Sequence, residues 1–386
     1  MTRIRPRSAA SVRRLARRLS WRAAAALALL VLGAGASIAG ALWLVAQAAG
    51  AQAPGPLQAG MMGLAGAQVW LAARIVRWLR VPPPQAEGVR VGREAAPALY
   101  RLVDNLAERM GAETIGSIRI SAEMNAAVFQ RPRRGAWGRM ETTLIIGLPL
   151  VHSVSPRQLA AILAHELAHL KRQRGGWRAW GAHVRAWWHR VCERIAAEDS
   201  APARLLDRAL AGWAEADLMA AVRLNHLEEY EADRVAARVI GPKLLGDTLV
   251  EVAMKANFIE TDYWDAVMSQ AAQMPRPSLR PFRDMGMGVA AGFHAAPQHR
   301  VLRSLVCEEG GLSFHPTLTD RLVALGIAPR MPQPAVHSAA THYLRRSLPR
   351  LSRVFDGRWW RGTRQEWRRY YAEACDSAPV SAARSD

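Results

Sequence analysis

The sequence predicts a mainly α protein with a small β-sheet, an α+β domain placed behind an N-terminal transmembrane hairpin. Three observations predict this architecture. Long uncharged apolar stretches open the chain, short apolar–polar alternations fall between residues 117 and 148, and helical periodicity governs residues 94–110, 158–174 and 203–224. The chain has 386 residues, enough for one domain of moderate size with appendages. Its three cysteines, Cys192, Cys307 and Cys375, are far apart and form no CxxC pair, which argues against a disulfide framework and a sulfur-ligated metal site.

Residues 1–22 read as a basic, cytoplasmic N-terminus. Arg3, Arg5, Arg7, Arg13, Arg14, Arg17, Arg18 and Arg22 immediately precede an uncharged stretch running from Ala23 to Ala73. Residues 23–80 then read as a transmembrane hairpin with spans at about 23–46 and 57–79. The first holds 24 uncharged residues, and at about 1.5 Å rise each a helix of that length crosses the roughly 30 Å hydrocarbon core. Gly50, Pro54, Gly55 and Pro56 supply the turn. The second run is weaker: it contains Gln58 and Gln68 and then meets Arg74 and Arg77, whose long side chains can snorkel to headgroups.

Lys and Arg exceed Asp and Glu by 52 to 32, a net charge of +20. Basic residues beside an apolar segment suit anionic headgroups and the positive-inside bias. No zinc-finger, RRM, KH or P-loop signature accompanies the charge, so no nucleic-acid partner is expected and the lipid bilayer is. With both spans inserted, both basic flanks and the following domain face the cytoplasm. The expected location is a bacterial-type inner (plasma) membrane, multi-pass. Two other readings exist: a signal peptide cleaved near Ala51-Gln52-Ala53, and a single anchor with residues 57–79 lying along the membrane, which would put the domain outside.

Residues 81–93, opening with Val81-Pro-Pro-Pro84, read as a linker, and residues 94–330 as the principal domain. Glu94–Met110 carries Leu99, Leu102, Val103, Leu106 and Met110 at helical intervals. Ser117–Ser121, Ala126–Phe129 and Thr142–Leu148 read as strands of an antiparallel or mixed sheet, with Arg131-Pro-Arg-Arg-Gly135 a turn or loop. An exposed strand of such a sheet could bind an extended peptide through main-chain hydrogen bonds.

The run from Gln158 to Lys171 carries the most informative constellation, His165-Glu166-Leu167-Ala168-His169. Ser155 as N-cap, Pro156 at the first helical position and Gln158 three residues after the serine predict a capped helix. His165 and His169 then stand one turn apart on one face, as two imidazoles sharing one zinc ion must. Glu166 lies beside the metal without occupying a ligand position, so it can hold a water there and take its proton. One Zn2+ per chain is expected.

A zinc site needs a further protein ligand. The second helical motif, His226-Leu-Glu-Glu-Tyr-Glu-Ala-Asp233, supplies it. Glu229 and Asp233 share a face, so Glu229 could ligate while Asp233 accepts a hydrogen bond from the outer nitrogen of a liganding histidine. By spacing alone Glu228 or His226 would also serve.

HELAH at 165–169 and EYEAD at 229–233, with Asn125-Ala126, Thr142–Leu148, and His315-Pro316 followed by Arg321, resemble the integral-membrane zinc metallopeptidases that include HtpX-like heat-shock proteases and CAAX prenyl proteases. The resemblance covers roughly residues 90–330. It implies a gluzincin-like zinc metallopeptidase domain in which His165, His169 and Glu229 bind zinc, Glu166 is the catalytic base and Asp233 supports a ligand. It further implies that Asn125 and Ala126 line the substrate cleft and that His315 helps stabilise the oxyanion. The expected activity is zinc-dependent endopeptidase cleavage of a polypeptide substrate, with damaged or misassembled membrane proteins as the class the resemblance suggests. HtpX-like members usually carry two more spans between or after these motifs. Here that interval is rich in Trp and Arg, closer to bacterial relatives with an N-terminal hairpin and a peripheral catalytic domain. A different class of reading is a non-catalytic, zinc-stabilised membrane scaffold or peptide-binding protein, in which Glu166 would have no task.

Two basic, aromatic regions remain. Trp177, Trp180, Trp187 and Trp188 interleave with Arg178, Arg185 and Arg190, which suits either a headgroup-facing surface or ordinary helical packing. Residues 331–386 form a basic Trp/Arg-rich C-terminal segment whose end, from Ser377, is expected to be disordered. Within it, His342–Tyr371 mixes nine arginines with leucines and tryptophans, a composition that could dock on anionic lipid or wrap on the domain.

Overall fold

Apolar periodicity sorts the chain into elements whose order is as follows. The helices α1 (Ala9–Ala49) and α2 (Pro56–Leu79) are followed by β1 (Val89–Val91), α3 (Pro97–Met110), β2 (Ser117–Ser121), β3 (Ala126–Arg134) and β4 (Trp137–Gly147). Next come α4 (Leu148–Ser153), α5 (Pro156–Gln173), α6 (Gly176–Ala196), α7 (Ala201–Ile240) and α8 (Pro242–Phe258). A π-helical turn leads to α9 (Trp264–Ser269), α10 (Pro281–Ala295), α11 (Gln298–Cys307), α12 (Leu318–Leu325), α13 (Ala339–Tyr343) and α14 (Leu348–Ser377). This computed structural model describes residues 9–50, 55–82, 85–134, 137–173, 176–295, 298–307, 313, 315–331 and 337–377. The turn between the apolar helices and the chain after Ser377 lie partly or wholly outside them.

Two compact units interleave in sequence: residues 1–85, 131–140 and 175–228 form one, and residues 86–130, 141–174 and 229–386 the other. In the first, α1 and α2 run antiparallel. The Gln58 amide donates to Ala48 O at 3.0 Å, and Gly40 and Gly33 face Gln68 and Ile75 further along. Small residues at these crossings let the two backbones approach. Both helices are long and apolar enough to cross a membrane, by length and composition only. Their outward apolar side chains run from Leu29 to Val45 and from Leu57 to Trp70.

At the other end of this helix pair, Ala23, Ala26, Leu27, Ile75 and Trp78 are buried against Val184, Trp188, Val191 and Ile195 of α6. Trp180 and Trp187 pack on the same cluster, and Trp187 Nε1 donates to Leu79 O at 3.1 Å. Packing therefore accounts for these three rings; the side chains of Trp177 and Arg178 lie outside the described ones. Charges at this end are paired: Arg22 meets Asp217 at 2.9 Å, Arg74 pairs with Glu198, and Trp78 Nε1 donates to Glu198 at 2.9 Å.

In the second unit, β2 alternates Ile118 and Ile120, both fully buried, with Ser117 and Arg119. The sheet order is β1-β2-β4-β3. β1 pairs antiparallel with β2 (Arg90 opposite Arg119), and β2 runs parallel to β4 (Arg119 opposite Ile145), so the sheet is mixed. Ile118, Ile120, Leu144 and Ile146 share a core with Leu99 and Val103 of α3 and with Leu159, Leu163 and Leu167 of α5. The core thus lies between one face of the sheet and the helices.

Three expectations change. Arg131–Arg134, read as turn or loop, continues β3. Pro132 is tolerated there because β3 is an edge strand, where a missing N–H costs little. Leu148, read as the end of a strand, instead starts α4. The chain turns at Gly147, where a Cβ would sit 1.7 Å from Glu123 O, so glycine is required. The stretch read as a linker contains β1, three residues too short to show a period.

Candidate metal centre

Local chemistry starts α5 where its charged residues need it. Gln158 N–H donates to Ser155 Oγ at 3.3 Å, and Ser155 N–H donates to Gln158 Oε1 at 2.8 Å, a reciprocal capping box ahead of Pro156. Leu159, Leu163, Leu167 and Leu170 bury one side of the helix, which holds His165 and His169 at the edge of the core. The last turns of α7 lie in the same unit, with Ala232 and Ala236 buried in that core. This anchors Glu229 and Asp233.

The geometry is compact. His165 Nε2 lies 3.2 Å from His169 Nε2 and 3.4 Å from Glu229 Oε2, and His169 Nε2 lies 3.2 Å from Glu229 Oε1. A tetrahedral site with ligands about 2.0–2.1 Å from its centre has edges of roughly 3.3 Å, so the three groups have the spacing zinc requires. Among the described residues, His165, His169 and Glu229 form the group able to hold a metal ion. Glu228 and His226, the other candidates by spacing, are not part of it.

Around these donors stands a second ring of contacts. His165 Nδ1 donates to Asp233 Oδ1 at 2.9 Å, which leaves Nε2 free to bind a cation. Arg321, from α12, grips Asp233 with both arms of its guanidinium, Nε to Oδ2 at 2.8 Å and Nη2 to Oδ1 at 2.7 Å. Its Nη1 also lies 3.5 Å from Glu229 Oε2.

Electrostatics follow from burial and this pairing. Burial opposes charge on His165, yet its hydrogen bonds to Asp233 and Glu229 outweigh that and raise its pKa to about 9. Burial likewise pushes Glu229 up, but bonds from His165, His169 and His315 hold it well below the usual carboxylate range. Asp233 is lowered by Arg321 and His165 against the same burial. Negative charge that keeps a proton on a buried imidazole will hold a divalent cation in its place.

Glu166 departs in the opposite sense. Burial, its largest influence, raises its pKa; His165 and His169 pull it down, and the Val128 backbone N–H, donating from edge strand β3, does so too. Ala126 opens that strand and Asn125 immediately precedes it. The exposed Asn125 accepts the Ala126 N–H on its own Oδ1 at 2.8 Å, and its carbonyl accepts Gly147 N–H at 2.7 Å. His315 reaches the cluster from the loop before α12: Nδ1 lies 3.8 Å from Glu229 Oε1 while the ring stays largely exposed. The nearby Glu229 carboxylate raises its pKa.

Two participants carried no readable role in the sequence. Arg321 lies 88 positions from Asp233, and nothing local marks it as that residue's clasp. Val128 takes part through its backbone, which leaves no trace in residue type.

Nothing among curated proteins or solved structures matches the chain. The sequence profile of Peptidase family M48 matches residues 102–327, more than half of the chain and a span that contains every residue of the donor cluster. The chain therefore belongs to Peptidase family M48, the zinc metallopeptidases, and its His165, His169 and Glu229 can bind the metal that such a hydrolase uses.

Proposed function

We propose that this chain is a membrane-anchored zinc endopeptidase in which His165, His169 and Glu229 hold one Zn2+ and Glu166 is the general base. The observation that carries the reading is the set of donor atoms 3.2–3.4 Å apart with Glu166 one residue from the first of them. Zinc bound there would supply Lewis acidity, polarising the scissile carbonyl and acidifying a water.

The protein's own groups do the rest. Glu166 accepts the proton of the attacking water and delivers it to the leaving amine. Val128 N–H orients the Glu166 carboxylate. Asp233 keeps His165 in the tautomer with its proton on Nδ1, and Arg321 keeps Asp233 ionised and in place. His315, largely exposed beside Glu229, donates to the oxygen on which charge develops. An extended polypeptide adds along the open edge of β3, past Asn125 and Ala126, through main-chain hydrogen bonds that demand no single sequence. Among the described residues, nothing in this arrangement captures a chain terminus, which favours internal cleavage.

The outward apolar bands of α1 and α2 support anchoring in a bilayer. With both helices inserted, the positive-inside bias of the basic flanks at 13–22 and 74–80 supports a cytoplasmic catalytic domain. Substrates would then include membrane proteins under quality control. In the test, wild type and Glu166→Gln are compared for zinc content and hydrolysis of an unfolded protein. The variant is expected to keep its zinc and lose about 10²–10⁴-fold in turnover. Full zinc occupancy in a wild type that cleaves nothing would leave the scaffold reading.

A further inference from the structure

Helix α14 is occupied on both sides, by the core on one and by arginine on the other. Leu351, Phe355 and Trp367 are buried, Trp359 stacks on Trp264, and Trp367 Nε1 donates to Met274 O at 2.9 Å. On the far side stand Arg350, Arg353, Arg361, Arg364 and Arg368, all exposed. At 3.6 residues per turn these five fall within roughly 80° of arc and form a row about 27 Å long, with Gly357 filling the gap between the second and third.

The row is uncompensated. Among the described residues, none of the five meets a carboxylate at ion-pair distance; Arg353 and Arg361 return one N–H each to the carbonyls of Pro349 and Gly357. Of the four acidic groups of this helix, Asp356 accepts the Phe282 N–H at 2.8 Å and Glu373 lies 3.8 Å from Arg369, beside the row, while Glu366 and Asp376 stand at ion-pair distance from none of the five. Five like charges in line repel one another, so the surface calls for an extended anion.

A bilayer fits better than a nucleic acid. Single-stranded nucleic acid is held by aromatic rings that stack on bases, and the tryptophans of α14 pack against Trp264 and one another instead of standing among the arginines. The same chain carries two helices long and apolar enough to cross a membrane, so on the anchored reading proposed above a bilayer is the polyanion nearest to the row. Each arginine near an anionic bilayer contributes about a fivefold gain in partition.

We propose that the arginine row of α14 is a docking surface for an anionic phospholipid bilayer. It is separate from the peptidase reading, since none of the five residues belongs to the donor cluster.

The test uses the full chain with a fluorophore on Gln365→Cys, an exposed position beside the row, in a background lacking the three native cysteines. Reconstitution is into nanodiscs of phosphatidylcholine alone or with about one-third phosphatidylglycerol. Acrylamide quenching is expected to fall about two- to fivefold in the anionic discs alone and to recover near ~0.5 M salt. Replacing all five arginines by lysine should keep the effect and replacing them by glutamine should abolish it, while peptide hydrolysis in detergent stays unchanged in both. A chain that proves soluble without lipid is put to the same comparison by sedimentation with vesicles of the two compositions. Equal quenching in both lipids, a glutamine variant that behaves like wild type, or arginine-dependent binding of labelled single-stranded RNA without any lipid effect would each overturn the proposal. Loss of hydrolysis in wild type with lipid protection intact would instead count against the peptidase reading alone.

Discussion

Asp233 is the residue on which the donor cluster leans hardest. It is 1 % exposed, accepts the His165 Nδ1 proton at 2.9 Å and receives both arms of Arg321. Asp233→Asn keeps the shape but removes the charge that fixes the imidazole, and it leaves the largely buried Arg321 guanidinium only Glu229, at 3.5 Å, as an anion. We expect zinc affinity to fall about 10–100-fold, read by competition with a chelating dye. Arg321→Lys should move it in the same direction by less, because an ammonium cannot reproduce the two-armed grip. Wild-type affinity in both variants would refute this role. At this scale the His165, Glu166 and His169 spacing was readable because one turn of helix is a local fact. The partnership of Arg321 with Asp233 was not, because it joins α12 to α7.

The capping box of α5 is the element-scale counterpart. Ser155→Ala removes an acceptor from the first turn of the helix that carries both histidines, and should cost about 1 kcal/mol of stability, visible as a lower thermal midpoint that Ser155→Thr largely restores. An unchanged midpoint would mean that tertiary packing alone holds the helix start. Ser155, Pro156 and Gln158 announced this cap in the sequence because all its partners lie within four residues. Strand β3 was harder to read. Pro132 looks like a breaker until sheet order shows that its strand has an open side. Helix α7 likewise runs unbroken from Ala201 to Ile240, joining the helical stretch read at 203–224 to the motif that begins at His226.

Stability of the whole molecule should carry a pH signature from His152 in α4. Burial pushes its pKa from 6.5 down to about 4, and its Nε2 has no hydrogen-bond partner among the described residues. The unfolded chain therefore binds this proton at a higher pH than the folded one, and stability contributed by His152 is present above pH 6.5 and lost as pH falls toward 4. By linkage the loss is about 3 kcal/mol over that window. His152→Gln cannot titrate, so the gap in thermal midpoint between wild type and variant should narrow or invert between pH 7 and pH 5. A gap independent of pH would show that the ring is solvated.

Residues alone disclosed the apolar helices, the four-residue spacing of His165 and His169 and the helical start signals, since each depends on neighbours within about a turn or on the length of an apolar run. Tertiary structure chose Glu229 over Glu228 and His226, set Arg321 on Asp233, made β3 an edge and gave α14 one buried and one cationic side. Those outcomes depend on which distant surfaces share a core. Histidine partners hold the Glu229 carboxyl down against its burial while burial raises that of Glu166, and no one-dimensional pattern carries that information.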